Sequence, residues 1–282
     1  MTNNQPGTVP GNPAGGAPSH RQDAMTSAQR KLLGAVALVG IVFTIGGGCA
    51  SDGPRLVPPT RLTTPYDTSR RDVVWAVAPP RNESGTSAVN PRAVGDALVS
   101  ATSEVNGLTA LSLNRSIRAM RALGLDEVTG PAEAQQLASV LGADAVLIAS
   151  ITDWDPYDPP VIGLSAALIP APGRLEATGG ASIDDTRLFQ LQATEDAIRP
   201  GARDAGAAHS STAQHISGRD HETLMAVRRY AEGRLDPDDP LGWQAYLKSM
   251  PLYTTFSAHR VVGSLLDQEW LRLARARNAA NR

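Results

Sequence analysis

Short apolar runs alternate with amphipathic helical segments between residues 72 and 169. Val73–Ala78 is a β-branched apolar run that ends at Pro79 and Pro80, which is typical of a strand buried on both faces. Three further runs of this kind predict strands at Leu108–Leu113, Asp144–Thr152 and Val161–Ile169. The last two strands are expected to form an antiparallel hairpin, because only a short turn separates them.

Helical periodicity fills the gaps between these strands. Asn90 precedes Pro91, and apolar residues then recur every three or four positions as far as Val105, which predicts a capped amphipathic helix. The same period predicts helices at 114–124 and 131–142. The order of elements predicts an α/β fold, namely a three-layer-like sandwich with a β-α-β-α-β core, an antiparallel edge hairpin and added C-terminal helices.

The pattern changes after residue 169. Residues 170–219 are rich in Gly, Ala, Pro and Asp, and predict a long surface loop with one short strand at Arg187–Ala193. Helical periodicity returns at Asp220 and predicts C-terminal helices over 220–277, which are expected to cover the sheet. Residues 72–282 are therefore predicted to form one globular α/β domain.

A continuous apolar segment lies well before this domain. Leu32–Gly48 follows Arg30 and Lys31, has no polar face, and is followed directly by Cys49, the only cysteine. A basic region, an apolar core and small residues before the junction are typical of a secretory signal, which we place at 25–48. A cysteine at this position resembles the lipoprotein signals of bacteria, and this resemblance implies that Cys49 is lipidated with acyl chains such as palmitate.

One alternative for this segment stays open. An uncleaved membrane helix needs about 17–25 apolar residues, and Leu32–Gly48 is at the short end of that range. Residues 1–24 lack any periodicity and are interpreted as a disordered leader or as a misassigned start, with Met25 as the true one. The proline-rich residues 49–71 predict an extended tether between the membrane and the domain.

Charge and cysteine content exclude several classes of function. The formal net charge is −2, and no cluster of Lys or Arg suggests a nucleic-acid partner. If Cys49 is acylated, no thiol remains for a disulfide or a cysteine metal site. The chain carries no nucleophile elbow, P-loop or dinucleotide fingerprint, so we predict no catalytic residue, no cofactor and no enzyme activity.

Two motifs resemble those of a known superfamily. Val73–Ala78 followed by Pro79–Gly85 is similar to a strand and "P-F-x-N-x-S-G" turn, with Pro80 in place of Phe. Ala134–Leu141 followed by Gly142–Ile148 is similar to an "lGAD-x-v-v-x-G" helix–strand step. Both belong to a bacterial envelope superfamily that includes curli-secretion-channel lipoproteins, penicillin-binding-protein-activator lipoproteins and the TolB amino-terminal domain.

This resemblance covers 72–169 and implies an anchored envelope domain that binds other proteins. We therefore predict a membrane-anchored lipoprotein that serves as an interaction, assembly or regulatory module for cell-wall or secretion machinery, with unidentified envelope proteins as partners. In a diderm host, Ala50 after Cys49 favours the outer membrane, on its periplasmic side.

The turn after the first strand is the predicted partner-binding site. Arg81, Asn82 and Glu83 follow a buried strand, where open α/β sheets place their binding residues. Arg81 and Glu83 are charged and are expected to need no structural partner there. The alternative interpretation is a capping turn held by hydrogen bonds of Asn82 and Ser84.

A rival hypothesis is an anchored metal-dependent hydrolase or small-ligand-binding protein. It would use Asp153, Asp155 and Asp158 together with a histidine. This spacing lacks the central glycine and distal glutamate of a calcium loop, so the sequence favours a rigid hairpin turn and predicts no metal site.

Overall fold

The computed structural model describes residues 58–175, 209–236 and 238–280. The predicted leader, the signal with Cys49, the first part of the tether and the strand at Arg187–Ala193 lie outside these ranges. In the ranges that are described, no helix combines the length and the apolar character needed to cross a bilayer.

Within the described residues, six strands form one sheet and six α-helices pack around it. The strands are β1 (Val73–Val77), β2 (Arg81–Asn82), β3 (Leu108–Leu111), β4 (Ala145–Asp155), β5 (Val161–Pro170) and β6 (Ser210–Ser217). The helices are α1 (Pro91–Ser103), α2 (Leu113–Leu123), α3 (Pro131–Leu141), α4 (His221–Ala231), α5 (Ala245–Lys248) and α6 (Met250–Ala280).

The sheet is mixed, with strand order β3-β1-β4-β5-β6. β1 runs parallel to both β3 and β4, whereas β4, β5 and β6 are successively antiparallel. The predicted α/β class and the β4–β5 hairpin are confirmed. The hairpin does not lie at the edge, however, because β6 pairs with β5 from Val161 to Leu168 and takes the edge position itself.

The sheet separates two hydrophobic clusters, which gives the predicted three layers. Val73, Trp75 and Val77 of β1 point to one side, into a cluster built with α1 and α6. Ala76 points to the other side, into a smaller cluster with residues of α2 and α3. The alternation along β1 explains why this strand is apolar at every position, since both of its faces are buried.

The first residues of the helices agree only in part with those predicted from the sequence. The side chain of Asn90 accepts hydrogen bonds from the backbone N–H groups of Arg92 (3.1 Å) and Ala93 (3.3 Å), so the predicted cap of α1 is confirmed. α2 begins at Leu113 with Ser112 at its N-cap, and Asn114 lies inside the first turn. α6 begins at Met250 and runs to Ala280, three residues beyond the predicted end of the C-terminal helices at 277.

Part of the predicted loop at 170–219 is strand. β5 continues to Pro170, and Ser210–Ser217 forms β6. The sequence Ser-Ser-Thr-Ala-Gln-His-Ile-Ser has one large aliphatic residue, Ile216, so its apolar alternation is too weak to detect.

The end of the predicted tether is part of the domain. Leu62 packs against the larger cluster, and the backbone N–H of Thr64 donates to the carbonyl of Asn106 (3.1 Å). The hydroxyl of Tyr66 donates to Glu269 of α6 at 2.9 Å. These residues are few and widely spaced, so they left no periodic signal, but together they fix residues 62–66 on the surface of α1 and α6.

Candidate functional site

The predicted partner-binding turn lies beside the middle of β4, after the prolines that follow β1. β1 pairs with the start of β4, Pro79 and Pro80 interrupt the strand, and β2 then pairs with β4 at Ser150 and Ile151. Backbone hydrogen bonds fix both ends of this interruption, from Ala78 N to Leu147 O (2.9 Å) and from Glu83 N to Ile151 O (2.8 Å). The residues after the two prolines therefore form β2, a short strand that pairs with the same edge of β4 as β1 does.

The side chains of this turn have structural partners. Asn82 Oδ1 accepts from the backbone N–H (3.2 Å) and the hydroxyl (2.7 Å) of Ser84, and Asn82 Nδ2 donates to the carbonyl of Thr86 (2.7 Å). Arg81 forms an ion pair with Glu83 (2.7 Å) and donates to Ser150 Oγ (3.2 Å). The expectation that Arg81 and Glu83 lack structural partners is wrong, although both side chains remain more than one-third exposed.

Strand register places Arg81 at one end of a row of small residues across the sheet. Arg81 pairs with Ser150, Ser150 with Ser165, and Ser165 with Ala213. A neighbouring row runs from Asp153 through Gly163 to His215. We call these two rows the open sheet face, in which Ser150 and Gly163 are buried and the other residues are partly or fully exposed: Arg81, Ser150, Asp153, Gly163, Ser165, Ala213 and His215.

The open sheet face lies beyond the smaller hydrophobic cluster. The last sheet residues that pack against that cluster on this side are Ile148 and Ala167. On β6, Ser211, Ala213 and His215 are exposed. The adjacent residues Thr212 and Gln214 contact Ser264 of α6 through hydrogen bonds, so the two faces of β6 are clearly different.

A glycine allows two side chains to meet across the middle strand. His215 Nε2 lies 3.2 Å from Asp153 Oδ2, and Gly163 of β5 stands between their strands. Any side chain at Gly163 would occupy the space over which these two residues make contact. The pair is polar, half-exposed and available to an approaching molecule.

We expect Gly163→Ala to destabilise the domain. An added Cβ would lie 2.8 Å from the backbone nitrogen of Asp153 and 2.5 Å from Thr152 Oγ1, so β4 would have to shift. The expected loss is about 1–3 kcal/mol of unfolding free energy. The matched control is Gly263→Ala in α6, where the Cβ meets only Leu62 at 3.6 Å and the substitution should stabilise by roughly 0.5–1 kcal/mol. If urea denaturation gave the same change in unfolding free energy for both variants, close packing at Gly163 would not be the cause.

The acidic residues of the rival metal site are not brought together. Asp153 contacts His215, Asp155 accepts the backbone N–H of Tyr157 (3.1 Å), and Asp158 pairs with Lys248. Within the described ranges no group of three His, Cys, Asp or Glu side chains could hold a metal ion. The alternative of a hairpin turn agrees with the structure, in which Asp155 accepts a hydrogen bond within the turn between β4 and β5.

The aspartate of the Gly-Ala-Asp motif joins two elements. Arg71 donates to both carboxylate oxygens of Asp144 at 2.7 Å, and the backbone N–H of Val74 donates to Oδ2 at 2.9 Å. Burial would raise the pKa of Asp144, but these hydrogen bonds hold it below its usual value. Asp144 therefore fixes the start of β1 beside β4, which is a structural role.

A second buried carboxylate was missed by sequence reasoning. Glu269 of α6 accepts from Tyr66 (2.9 Å), Ser210 (2.6 Å) and Arg272 (2.8 Å), and Arg272 also donates to the carbonyl of Leu175 (2.8 Å). Burial and the neighbouring Glu269 raise the pKa of the Tyr66 hydroxyl, which therefore remains a donor. This cluster joins α6 to the start of β6 through Ser210 and to the segment before β1 through Tyr66.

His259 gives the domain a defined pH dependence. Burial, followed by the positive charge of Arg234, lowers the pKa of His259 to about 4, while Glu104 acts in the opposite direction. The imidazole is neutral in the folded protein and gains a proton more easily when unfolded, with an ordinary pKa near 6.5. The contribution of neutral His259 to the free energy of unfolding is fully present above about pH 6.5 and is lost as the pH falls towards 4.

We expect the melting temperature to fall through that interval and expect His259→Gln to flatten the fall. The stabilisation from Asp144 is present above its ordinary pKa of 3.8 and is lost only as the pH falls below that value, because its folded pKa lies lower, so it does not change across the His259 interval. Thermal melts at half-unit pH steps measure both curves. Parallel curves for the variant and the original chain between pH 6.5 and 4 would show that another group is responsible.

The chain is similar to known proteins in structure only. No family model matches the chain, and no curated protein matches it. The LpoB C-terminal domain from Salmonella enterica is similar at 21% identity over 48% of this chain and 82% of that one, with a TM-score of 0.29. The PelC dodecamer from Paraburkholderia phytofirmans is similar at 14% identity over 74% of this chain and 94% of that one, with a TM-score of 0.32.

A third similar structure is lipoprotein GNA1162 from Neisseria meningitidis, at 18% identity over 45% of this chain and 99% of that one, with a TM-score of 0.29. It is a lipoprotein, the class that the two sequence motifs resemble. At these identities and scores the likenesses concern part of the fold and carry no argument about the function of this chain.

Proposed function

We propose that this chain is an envelope lipoprotein, anchored through acylated Cys49, that binds another envelope protein through the outer edge of β6 and the open sheet face. Its role would be in the assembly or regulation of cell-wall or secretion machinery. The observation that carries the proposal is the position of β6, an edge strand with exposed small residues on one face and α6 on the other.

An unpaired strand edge offers a row of backbone donors and acceptors to another chain. Natural sheets usually protect such an edge with lysine, proline, a bulge or a very short strand. β6 has eight residues, and its sequence contains no lysine, proline or acidic residue. In the described part of the chain, β5 is the only strand paired with it.

The partner that fits this edge is an extended segment of a second protein. Such a segment would add a strand beside β6, so that main-chain hydrogen bonds supply affinity and side chains supply selectivity. Ala213 and Ser211 are small enough to allow close approach from the exposed side. At the far end of the same row, Arg81, Asn82 and Glu83 would contact a partner that extends over the face.

Charge placed on this edge tests the proposal. Ser211→Lys/Ala213→Lys should prevent strand addition without unfolding the domain, because both positions are exposed. Gln136→Lys on the exposed side of α3 is the control. Envelope proteins that co-purify from detergent-solubilised membranes with the original chain and the control should be lost with the double variant. Retention of the same proteins by the double variant overturns the edge as the binding surface.

The anchor is tested separately. Since Leu62 is fixed on the domain, the stretch from Cys49 to Leu62 could place the domain at most about 45 Å from the membrane surface. The original chain should incorporate an alkyne-labelled palmitate analogue, and Cys49→Ser should not. An unlabelled original chain that stays in the membrane fraction would show that the segment is an uncleaved helix.

A further inference from the structure

Positive charge is concentrated where α1 and α2 meet. α2 has the sequence Leu-Asn-Arg-Ser-Ile-Arg-Ala-Met-Arg-Ala-Leu, with arginines at three-residue steps and no acidic residue. Arg118 and Arg121 of α2, together with Arg92 of α1, Asn114 and Ile117, line a surface pocket of about 290 Å³. We call this pocket the arginine pocket. It is a local feature in a chain whose formal net charge is −2.

These arginines have no counter-charge in the described structure. Arg71, Arg81, Arg234 and Arg260 each pair with a carboxylate elsewhere in the domain. Among the described residues, by contrast, no carboxylate forms an ion pair with the arginines of α1 or α2: Arg92, Arg115, Arg118 and Arg121. Asp96, one turn after Arg92 on α1, also makes no ion pair with it.

Two of these arginines lie at positions that are unfavourable for the isolated helices, whereas Arg121 lies in the last turn of α2. Arg92 lies in the first turn of α1 and Arg115 in the first turn of α2, where the positive end of the helix dipole repels cations. Neither first turn contains an acidic residue, and the N-cap Ser112 of α2 makes no side-chain hydrogen bond to the helix. Arginines at three-residue steps also repel one another. An anion bound in the pocket would offset the first-turn charge of Arg92 and the repulsion between Arg118 and Arg121.

We propose that the arginine pocket binds a phosphate-bearing anion, either a phospholipid headgroup or a soluble phosphate ester. Guanidinium groups donate paired hydrogen bonds to phosphate oxygens, and the Asn114 side chain adds an amide donor. The volume is at the lower limit of about 300–1,000 Å³ for ligand pockets, so it suits a small headgroup. Ile117 supplies one apolar wall, which fits the glycerol of a lipid or the carbon skeleton of an ester. This site is independent of Cys49 and of β6.

Phosphorus NMR of the full chain in dodecyl maltoside micelles tests the site and separates the two sources. One titration uses sodium pyrophosphate, and the other uses phosphatidylglycerol doped into the micelles, with phosphatidylcholine as the neutral lipid. Saturable broadening of one phosphorus signal is expected, with an apparent affinity that weakens as salt is added. Broadening with phosphatidylglycerol alone identifies a lipid headgroup, and broadening with pyrophosphate alone identifies a soluble phosphate compound.

Arg118→Gln/Arg121→Gln should weaken the binding at least tenfold. Arg228→Gln/Arg229→Gln is the matched control, since it removes the same charge from exposed positions at the end of α4. Both pairs of side chains are exposed, so both variants should melt like the original chain. The proposal is overturned if neither probe binds, if the pocket variant binds as tightly as the original chain, or if the control loses as much affinity.

Discussion

Truncation of the chain after Gly233 should leave a protein that no longer unfolds cooperatively. The truncation removes α6, whose apolar residues form one side of the larger cluster. Six of the large side chains among them are at most 2% exposed: Tyr253, Phe256, Val261, Val262, Leu265 and Leu266. Burial of each such side chain contributes roughly 1.5–3 kcal/mol, and their sum is comparable to the whole net stability of a domain, about 5–15 kcal/mol.

Calorimetry of the truncated and original chains measures this effect. The matched control is truncation after Arg277, which keeps every one of these side chains and should leave the transition unchanged. A chain ending at Gly233 that still melts cooperatively at the original temperature would show that the C-terminal helices are an appendage to a smaller domain.

Glu269→Ala should strongly destabilise the domain. It removes the acceptor of Tyr66 and Ser210, and it leaves the largely buried guanidinium of Arg272 without its carboxylate. Removing one partner of a buried ion pair typically costs about 3–5 kcal/mol. Tyr66→Phe removes a single hydrogen bond from the same cluster and should cost only about 1–3 kcal/mol.

Glu222→Ala is the matched control for Glu269. It also deletes a glutamate that pairs with an arginine, since Arg260 lies 2.8 Å from Glu222, but the carboxylate is 81% exposed. Surface pairs contribute about 0–1 kcal/mol, so urea denaturation should separate the two variants clearly. Similar losses in both would mean that the Glu269 cluster is hydrated in solution and does not fix the N-terminal chain to α6.

The sequence predicts those elements whose apolar pattern is local. β1, β4 and β5 have dense β-branched runs, and α1 has both a cap and a stripe, so each is confirmed near its predicted position. β6 was missed because it is polar on one face and contacts α6 through hydroxyl and amide groups on the other. A strand that is held mainly by hydrogen bonds to its neighbours lacks the apolar alternation by which strands are predicted from sequence.

Features that depend on distant residues could not be read from the sequence. Tyr66 and Glu269 are 203 positions apart, and nothing local marks either as a partner. The open sheet face depends on the register of four strands, which brings Arg81 into one row with Ala213. The arginines of α2 are visible in the sequence, but their pocket requires Arg92 from another helix.

Site-specific photo-crosslinking in intact cells is the most direct test of the central proposal, that the edge and open face of β6 bind an envelope protein. A benzophenone side chain would be placed at Ala213 on the open sheet face, at Ser211 on the same side of β6, and at the exposed Gln136 of α3. We expect one discrete crosslinked species of defined mass from both β6 positions and none from Gln136. The same species from Gln136, or no crosslink from either β6 position in cells that contain the anchored protein, would contradict it.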